Sequence, residues 1–126
     1  MSHFTTIKTE IKDIDALRSA VEELGLTLQA NAEARGYAGN LLKADHVIRL
    51  QGPYDVAVHR QPTGTHGLTC DWWDGHVARE VGEKFGKLLQ LYGVHKATRE
   101  ARRKGHLVQR RAQPNGSIKL VIMAAT

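Results

Sequence analysis

Residues 26–35 alternate without a break: Leu26, Leu28, Ala30, Ala32 and Ala34 occupy the even positions, and Thr27, Gln29, Asn31, Glu33 and Arg35 the odd ones. A period of two marks a half-buried β-strand. Such a strand needs strand neighbours at its sides and a cover over its apolar face. The cover is written just upstream. Ile14, Leu17, Val21 and Leu24 recur at spacings of three and four, which makes one apolar stripe on a helix. Asp13 is placed as the N-cap of that helix, and Gly25 as the left-handed glycine after its end. A stripe confined to one side must lie on a sheet. The alanines of the second half of the strand have weak β propensity, so its end is set by context.

The neighbours follow from turn chemistry. Residues 4–11 are β-branched and partly alternating, and read as a strand. A loop over 36–40 leads to a strand over 44–50, Gln51-Gly52-Pro53 turns the chain, and 54–59 alternates again. A second turn over 62–67 precedes a short strand over 68–72. Together these predict an antiparallel meander. After Asp74-Gly75, Val77, Val81, Phe85, Leu88 and Tyr92 form a helical stripe, which Val94, Ala97 and Ala101 continue with a phase shift near Gly93. Gly82, Gly86 and Gly93 each cost about 1 kcal/mol against alanine in a helix. Either they permit close approach to the sheet, or Gly93 divides two helices. Gly105 is placed to stop the pattern. Residues 106–113 and 117–123 flank Pro114-Asn115-Gly116, and Asn-Gly predicts a hairpin with a type I′ turn. The order β-α-β-β-β-β-α-β-β predicts an α+β fold. It is a two-layer sandwich: a mostly antiparallel sheet with two helices on one face, in a single domain over 1–126. A chain of 126 residues buries about two-thirds of its unfolded surface and folds without a disulfide or metal.

Cys70 is the single cysteine, so no intrachain disulfide forms, which fits a reducing compartment. The first residues lack the basic-then-apolar pattern of a secretory signal, and no stretch approaches the ~20 apolar residues of a membrane span. The expectation is a cytoplasmic protein.

The formal charge of +5 favours anionic partners. Lys96, Arg99, Arg102, Arg103, Lys104, Arg110 and Arg111 hold seven of the eighteen Lys and Arg residues, with Glu100 alone against them in that stretch. Cations near a helix C-terminus complement the macrodipole and need no ligand. The functional reading is a patch for acidic side chains or phosphates. Aromatic interleaving is missing, so a stacking platform for single strands is not indicated.

Cys70-Asp71-Trp72-Trp73-Asp74-Gly75-His76 is the second constellation. Two adjacent tryptophans leaving a strand point to opposite sides. One enters the core, and the other is an anchor for a protein partner; the competing reading packs both under the loop. The chain has seven histidines, and His66, Cys70, Asp71, Asp74 and His76 are candidates for a metal. Their spacing fits no zinc pattern, and strand alternation splays Cys70 from Asp71. Glycine-rich nucleotide loops and the Gly-x-Ser-x-Gly elbow are absent. A lone cysteine in a strand reads as a small buried hydrophobe before it reads as a nucleophile. No cofactor is expected.

The opening Met1-Ser2-His3-Phe4, then Ala44-Asp45-His46-Val47-Ile48, Pro53-Tyr54-Asp55-Val56, Asp71-Trp72-Trp73 and Gly116-Ser117-Ile118-Lys119-Leu120-Val121, stand in an order that resembles one family. This is the conserved hypothetical reading frame of plastid genomes and cyanobacteria, with relatives in other bacteria and phages. The resemblance runs over essentially the whole chain. It implies a domain of unknown function with no catalytic residues to carry over, and a place in the plastid stroma or cyanobacterial cytoplasm for such members. The alanine-rich stretch Ala30–Ala38 departs from the more basic segment expected there. The resulting expectation is a small non-enzymatic interaction or assembly module whose basic helix end binds an acidic protein. The alternative is a nucleic-acid-binding protein using the same cations, and behind it a metal protein or enzyme using the His66–His76 region. An open sheet edge would also allow pairing with a second copy.

Overall fold

The first helix forms where its cap dictates. In the computed structural model, which describes residues 4–124, Asp13 accepts a hydrogen bond from the Ala16 N–H at 3.0 Å and starts α1 (Ile14–Glu23). Gly25, at φ +76°, ends it. Leu17 and Val21 of the stripe are fully buried, together with Ala16 and Ala20.

Five strands form one antiparallel sheet: β1 (Phe4–Lys8), β2 (Thr27–Arg35), β3 (Leu41–Arg49), β4 (Val56–Arg60) and β5 (His66–Asp71). Their spatial order is β1-β5-β4-β3-β2, which makes β1 and β2 the edges. The strand expected over 4–11 stops at Lys8. There the Thr9 hydroxyl donates to the His66 carbonyl and accepts from the Ile11 N–H, which takes the chain out of the ladder and carries Ile11 into the core. Pairing also moves two other boundaries. β3 starts at Leu41 rather than 44 because Arg35 and Ala34 of β2 pair with Leu41 and Leu42. β5 runs over His66–Asp71 rather than 68–72 because Arg60 and His59 of β4 pair with His66 and Gly67.

The helical pattern after Gly75 is broken at Gly82, not Gly93. α2 (Ala78–Val81) ends at Gly82, whose φ of +85° and close contact with the next turn both demand glycine: an added Cβ would lie 2.7 Å from the Lys87 nitrogen. α3 (Gly86–Arg103) then runs unbroken through Gly93. The last hairpin, β6 (Leu107–Ala112) and β7 (Ile118–Met123), is a separate two-stranded sheet. Its turn is not type I′. Within Pro114-Asn115-Gly116 only Gly116 is left-handed, at φ +88°, and its N–H donates to the Gln113 carbonyl. Pro114 has no N–H to pair with Ser117 across a two-residue turn, and its negative φ suits the first position of the three-residue loop with a left-handed third position.

α1 and α3 lie on one face of the main sheet, over a core built from Leu17, Val21, Ile48, Val56, Val58, Leu68, Phe85 and Leu88. The alternation over 26–35 holds only to its midpoint. Asn31 takes φ +48°, which reverses the faces. Leu28 lies in the helix-covered core, whereas Ala32 and Ala34 pack with Val47 and Ala57. Val47 precedes Ile48, and Ala57 stands between Val56 and Val58, so this second cluster is on the opposite face. The reversal folds the β2–β3 arm across the back of the sheet, and its tip reaches the far strands. A Cβ at Gly36 would meet Phe4 of β1 at 2.7 Å, and the Tyr37 N–H donates to Asp71 of β5 at 3.1 Å. Helices cover one face and the protein's own hairpin closes the other.

Candidate functional site

The seven clustered cations are contiguous in sequence but are sent three ways. Lys96, Arg99 and Arg103 recur at spacings of three and four, so they share one face of α3. That face lines a cleft of about 660 Å³. Lys96 donates to Glu100 at 2.8 Å, and Arg99 lies 3.6 Å from Asp13 and 3.7 Å from Asp15 at the start of α1. The two Arg99 pairs tie α3 to the start of α1.

Arg110 takes a different direction. The β6–β7 face that holds Arg110 and Ile118 turns toward α1 and the core. Arg110 donates to Glu23 at 2.6 and 3.0 Å, and His95 stands 2.7 Å from the same carboxylate. The hydrogen bond from Arg110 holds the Glu23 carboxyl down at about 2, with His95 adding to it against the opposing effect of burial.

Arg102, Lys104 and Arg111 are exposed. Among the described residues they enter no ion pair. Only Gly105 and His106 separate Lys104 from Leu107, so the end of α3 adjoins the open end of the hairpin. The face of the hairpin turned away from α1 carries Leu107 opposite Met123, exposed by 61% and 45%. Further along the same face Arg111 is directly opposite Lys119. Like charges opposite each other across a ladder are destabilising.

The remaining floor of the cleft is made by residues that charge clustering alone did not single out. His46 comes from β3, Arg60 from the end of β4, His66 from the start of β5, and Lys12 from the segment before α1. The Nδ1 atoms of His46 and His66 are buried without a hydrogen-bond partner among the described residues. Burial first, then His46 and Arg60, push the His66 imidazole below its ordinary value. The signal available in the sequence was the high histidine count, but only strand pairing brings these two together.

Trp72 turns inward against Phe85, with ring centroids 4.7 Å apart. Trp73 is 47% exposed and meets Tyr37, at the tip of the arm, edge-on at 5.6 Å. The candidate metal ligands around them do not converge. His66 and Asp71 are at opposite ends of β5. Asp71 accepts from the Tyr37 and Trp73 N–H groups. Asp74 lies 3.7 Å from His76. Among the described residues no three His, Cys, Asp or Glu side chains are grouped to hold a metal ion. Cys70 is fully buried, and burial, with Asp71 adding to it, pushes its thiol far above its ordinary value. The thiolate that nucleophilic chemistry requires is therefore suppressed.

Residues 20–121 match a family described as protein of unknown function (DUF1257). The chain belongs to that family. It is 31% identical over 126 residues to the "uncharacterized protein ycf35" of Pyropia yezoensis, covering 97% of this chain and 96% of the relative. It is 28% identical over 124 residues to the protein of the same name from Guillardia theta, with the same coverage. The family assigns no activity, so the reading of function rests on the geometry above. No solved structure matches the chain. No helix among the described residues is long and apolar enough to cross a membrane.

Proposed function

We propose that this protein is an interaction module that docks an acidic protein segment on the end formed by α3 and the outer face of the β6–β7 hairpin. The observation that carries the reading is the direct opposition of Arg111 and Lys119 on an exposed two-stranded ladder. An acidic side chain laid between them would turn a cross-strand repulsion into two attractions. Arg102 and Lys104 extend the positive charge toward the helix end. Leu107 and Met123 add apolar area, which suits a protein partner better than a phosphate backbone. A second contact is offered by Trp73, whose ring is already positioned by Tyr37.

The test is a native pull-down at low salt with nuclease present, comparing the wild-type chain with an Arg102→Gln, Lys104→Gln, Arg111→Gln variant. An acidic protein that survives nuclease and is lost from the variant is the expected result. Recovery of nucleic acid alone, lost from the variant and falling steeply with salt, would replace this reading with phosphate-backbone binding. A protein captured equally by both chains would remove the hairpin end from the interface.

A further inference from the structure

The cleft between α3 and the β3–β5 strands combines two features that ordinary folding does not require. His66 is only 7% exposed, and its Nδ1 and that of His46 have no partner among the described residues. A buried polar nitrogen left unpaired costs free energy that a ligand can recover. Around these imidazoles the walls carry Lys12, Arg60, Lys96, Arg99 and Arg103 against Asp13, Asp15 and Asp45. The carboxylates are already engaged. Asp13 and Asp15 face Arg99, and Asp45 accepts the Arg60 backbone N–H at 2.8 Å. Five cations against three carboxylates leave the lining positive before either imidazole takes a proton. A metal ion would be repelled from such a cleft. An anion would meet donors from β3, β4, β5, α3 and the segment before α1.

We propose that this cleft binds a phosphate group, free or carried on a small molecule, received by the imidazoles of His46 and His66 that line it, with Arg60, Lys12 and Arg103 supplying countercharge. A phosphate matches the site better than a carboxylate because it brings two charges and three acceptor oxygens to a lining with several separate donors. The volume of about 660 Å³ exceeds what the ion alone needs and falls within the range of small-molecule sites. The site is distinct from the hairpin end, so it stands or falls independently of the docking reading.

Binding is coupled to protonation. The groups facing His66 are His46 and Asp45 from β3, Arg60 from β4, Lys12 and Asp13 at the entry to α1, and Lys96, Arg99 and Arg103 from α3. Burial first, then His46 and Arg60, push the imidazole below its ordinary value, with Asp45 acting in the opposite sense. A bound dianion reverses that field, so His66 takes up its proton at higher pH in the complex. By linkage, affinity for the dianion strengthens as pH falls, while the phosphate's own protonation at about pH 6–7 lowers the dianion concentration.

Histidine side-chain NMR of the isotope-labelled wild-type chain tests this directly. Inorganic phosphate, ribose 5-phosphate and succinate are titrated separately at constant ionic strength. The expected result is saturable movement of the His46 and His66 signals with the phosphates, with tighter binding at about pH 6 than at about pH 8 when compared at equal dianion concentration, and with His59 and His95 unmoved. Tighter binding of ribose 5-phosphate identifies a small phosphorylated molecule as the ligand, and equal or tighter binding of inorganic phosphate identifies the free ion. Arg60→Gln, a change at an exposed side chain, is expected to weaken phosphate binding about tenfold. Stationary His46 and His66 signals, an equal response to succinate, or unchanged affinity in Arg60→Gln would overturn the proposal.

Discussion

Asp55 and the hairpin end show two opposite treatments of charge within one small molecule. The Asp55 side chain is fully buried, yet it receives the Arg35 N–H, Nε and Nη2, the Arg49 Nη1 and the Leu50 N–H, all between 2.7 and 3.2 Å. Burial alone would raise this carboxyl, but the bonds from Arg35 and Leu50 bring it below its ordinary value. Arg35 stands beside the tip of the arm and Arg49 at the far end of β3, so this one carboxylate clamps the tip of the folded arm back onto the sheet. At the other end of the molecule, Arg111 and Lys119 confront each other in the open, and Arg102 and Lys104 nearby enter no ion pair among the described residues. A charge that the fold depends on is satisfied completely from within. A charge left unsatisfied on an exposed face is available to something outside.

The largest test of this contrast is Asp55→Ala. It leaves Arg35 and Arg49 together without their counter-ion and removes the acceptor for two backbone N–H groups. The expected loss is about 3–5 kcal/mol by denaturant unfolding, and a loss below about 1 kcal/mol would break the contrast at its structural end. Next is Glu23→Gln. The folded pKa of Glu23 is lowered from 4.5 to about 2. Its contribution to stability is therefore complete above the ordinary carboxylate range and is lost as pH falls toward the folded value. The variant should lose about 1–2 kcal/mol at neutral pH, after discounting for partial exposure of the pair. Its stability should also fall less steeply than that of wild type between these two pKa values. An identical acid limb in thermal melts would show that Arg110 is not anchored through this carboxylate.

Lys119→Glu sharpens the contrast from the other side. Replacing the repulsion with an attraction to Arg111 should raise stability by about 0.2–1 kcal/mol while removing affinity for an acidic partner. Such a gain in the free protein would show that the wild-type pair is held at a cost to folding. The smallest effect is expected from Arg102→Gln with Lys104→Gln. Lost attraction to the helix dipole is offset by relief of like-charge repulsion, so stability should stay within about 0.5 kcal/mol. A larger loss in denaturant unfolding would assign these cations to the fold.

Much of the architecture was legible because it depends on local chemistry. The Asp13 cap, the stripe from Leu17 to Val21, the Gly25 stop and the final hairpin each follow from a few neighbouring residues, and the element order follows from them. Where a local rule had two solutions, it misled. Asn115-Gly116 suggested a type I′ turn, but Pro114 lacks the N–H that the two-residue turn would pair and takes the first position of a three-residue loop instead. Gly93 and Gly82 look equally disruptive in a helical pattern, yet only Gly82 meets a backbone atom that no Cβ could approach. The even-numbered residues of 26–35 looked like one face, but Asn31 turns Ala32 and Ala34 to the other.

The candidate sites were less legible for the same reason. Sequence reading joined Lys96, Arg99, Arg102, Arg103, Lys104, Arg110 and Arg111 into one patch because neighbours in sequence lie close together. Direction is set by helical phase and strand pairing instead, and these send the cations to a cleft, to Glu23 and to solvent. His46 and His66 lie twenty residues apart in sequence. They meet because β4 pairs with β3 on one side and β5 on the other. By itself, the sequence determined which segments become helix or strand and which side chains carry charge, since propensity, capping and periodicity act within a few residues. The tertiary structure alone decided which charges are extinguished in pairs, which enclose a cleft and which remain exposed, because those outcomes depend on distances set by the pairing and packing of segments far apart in the chain.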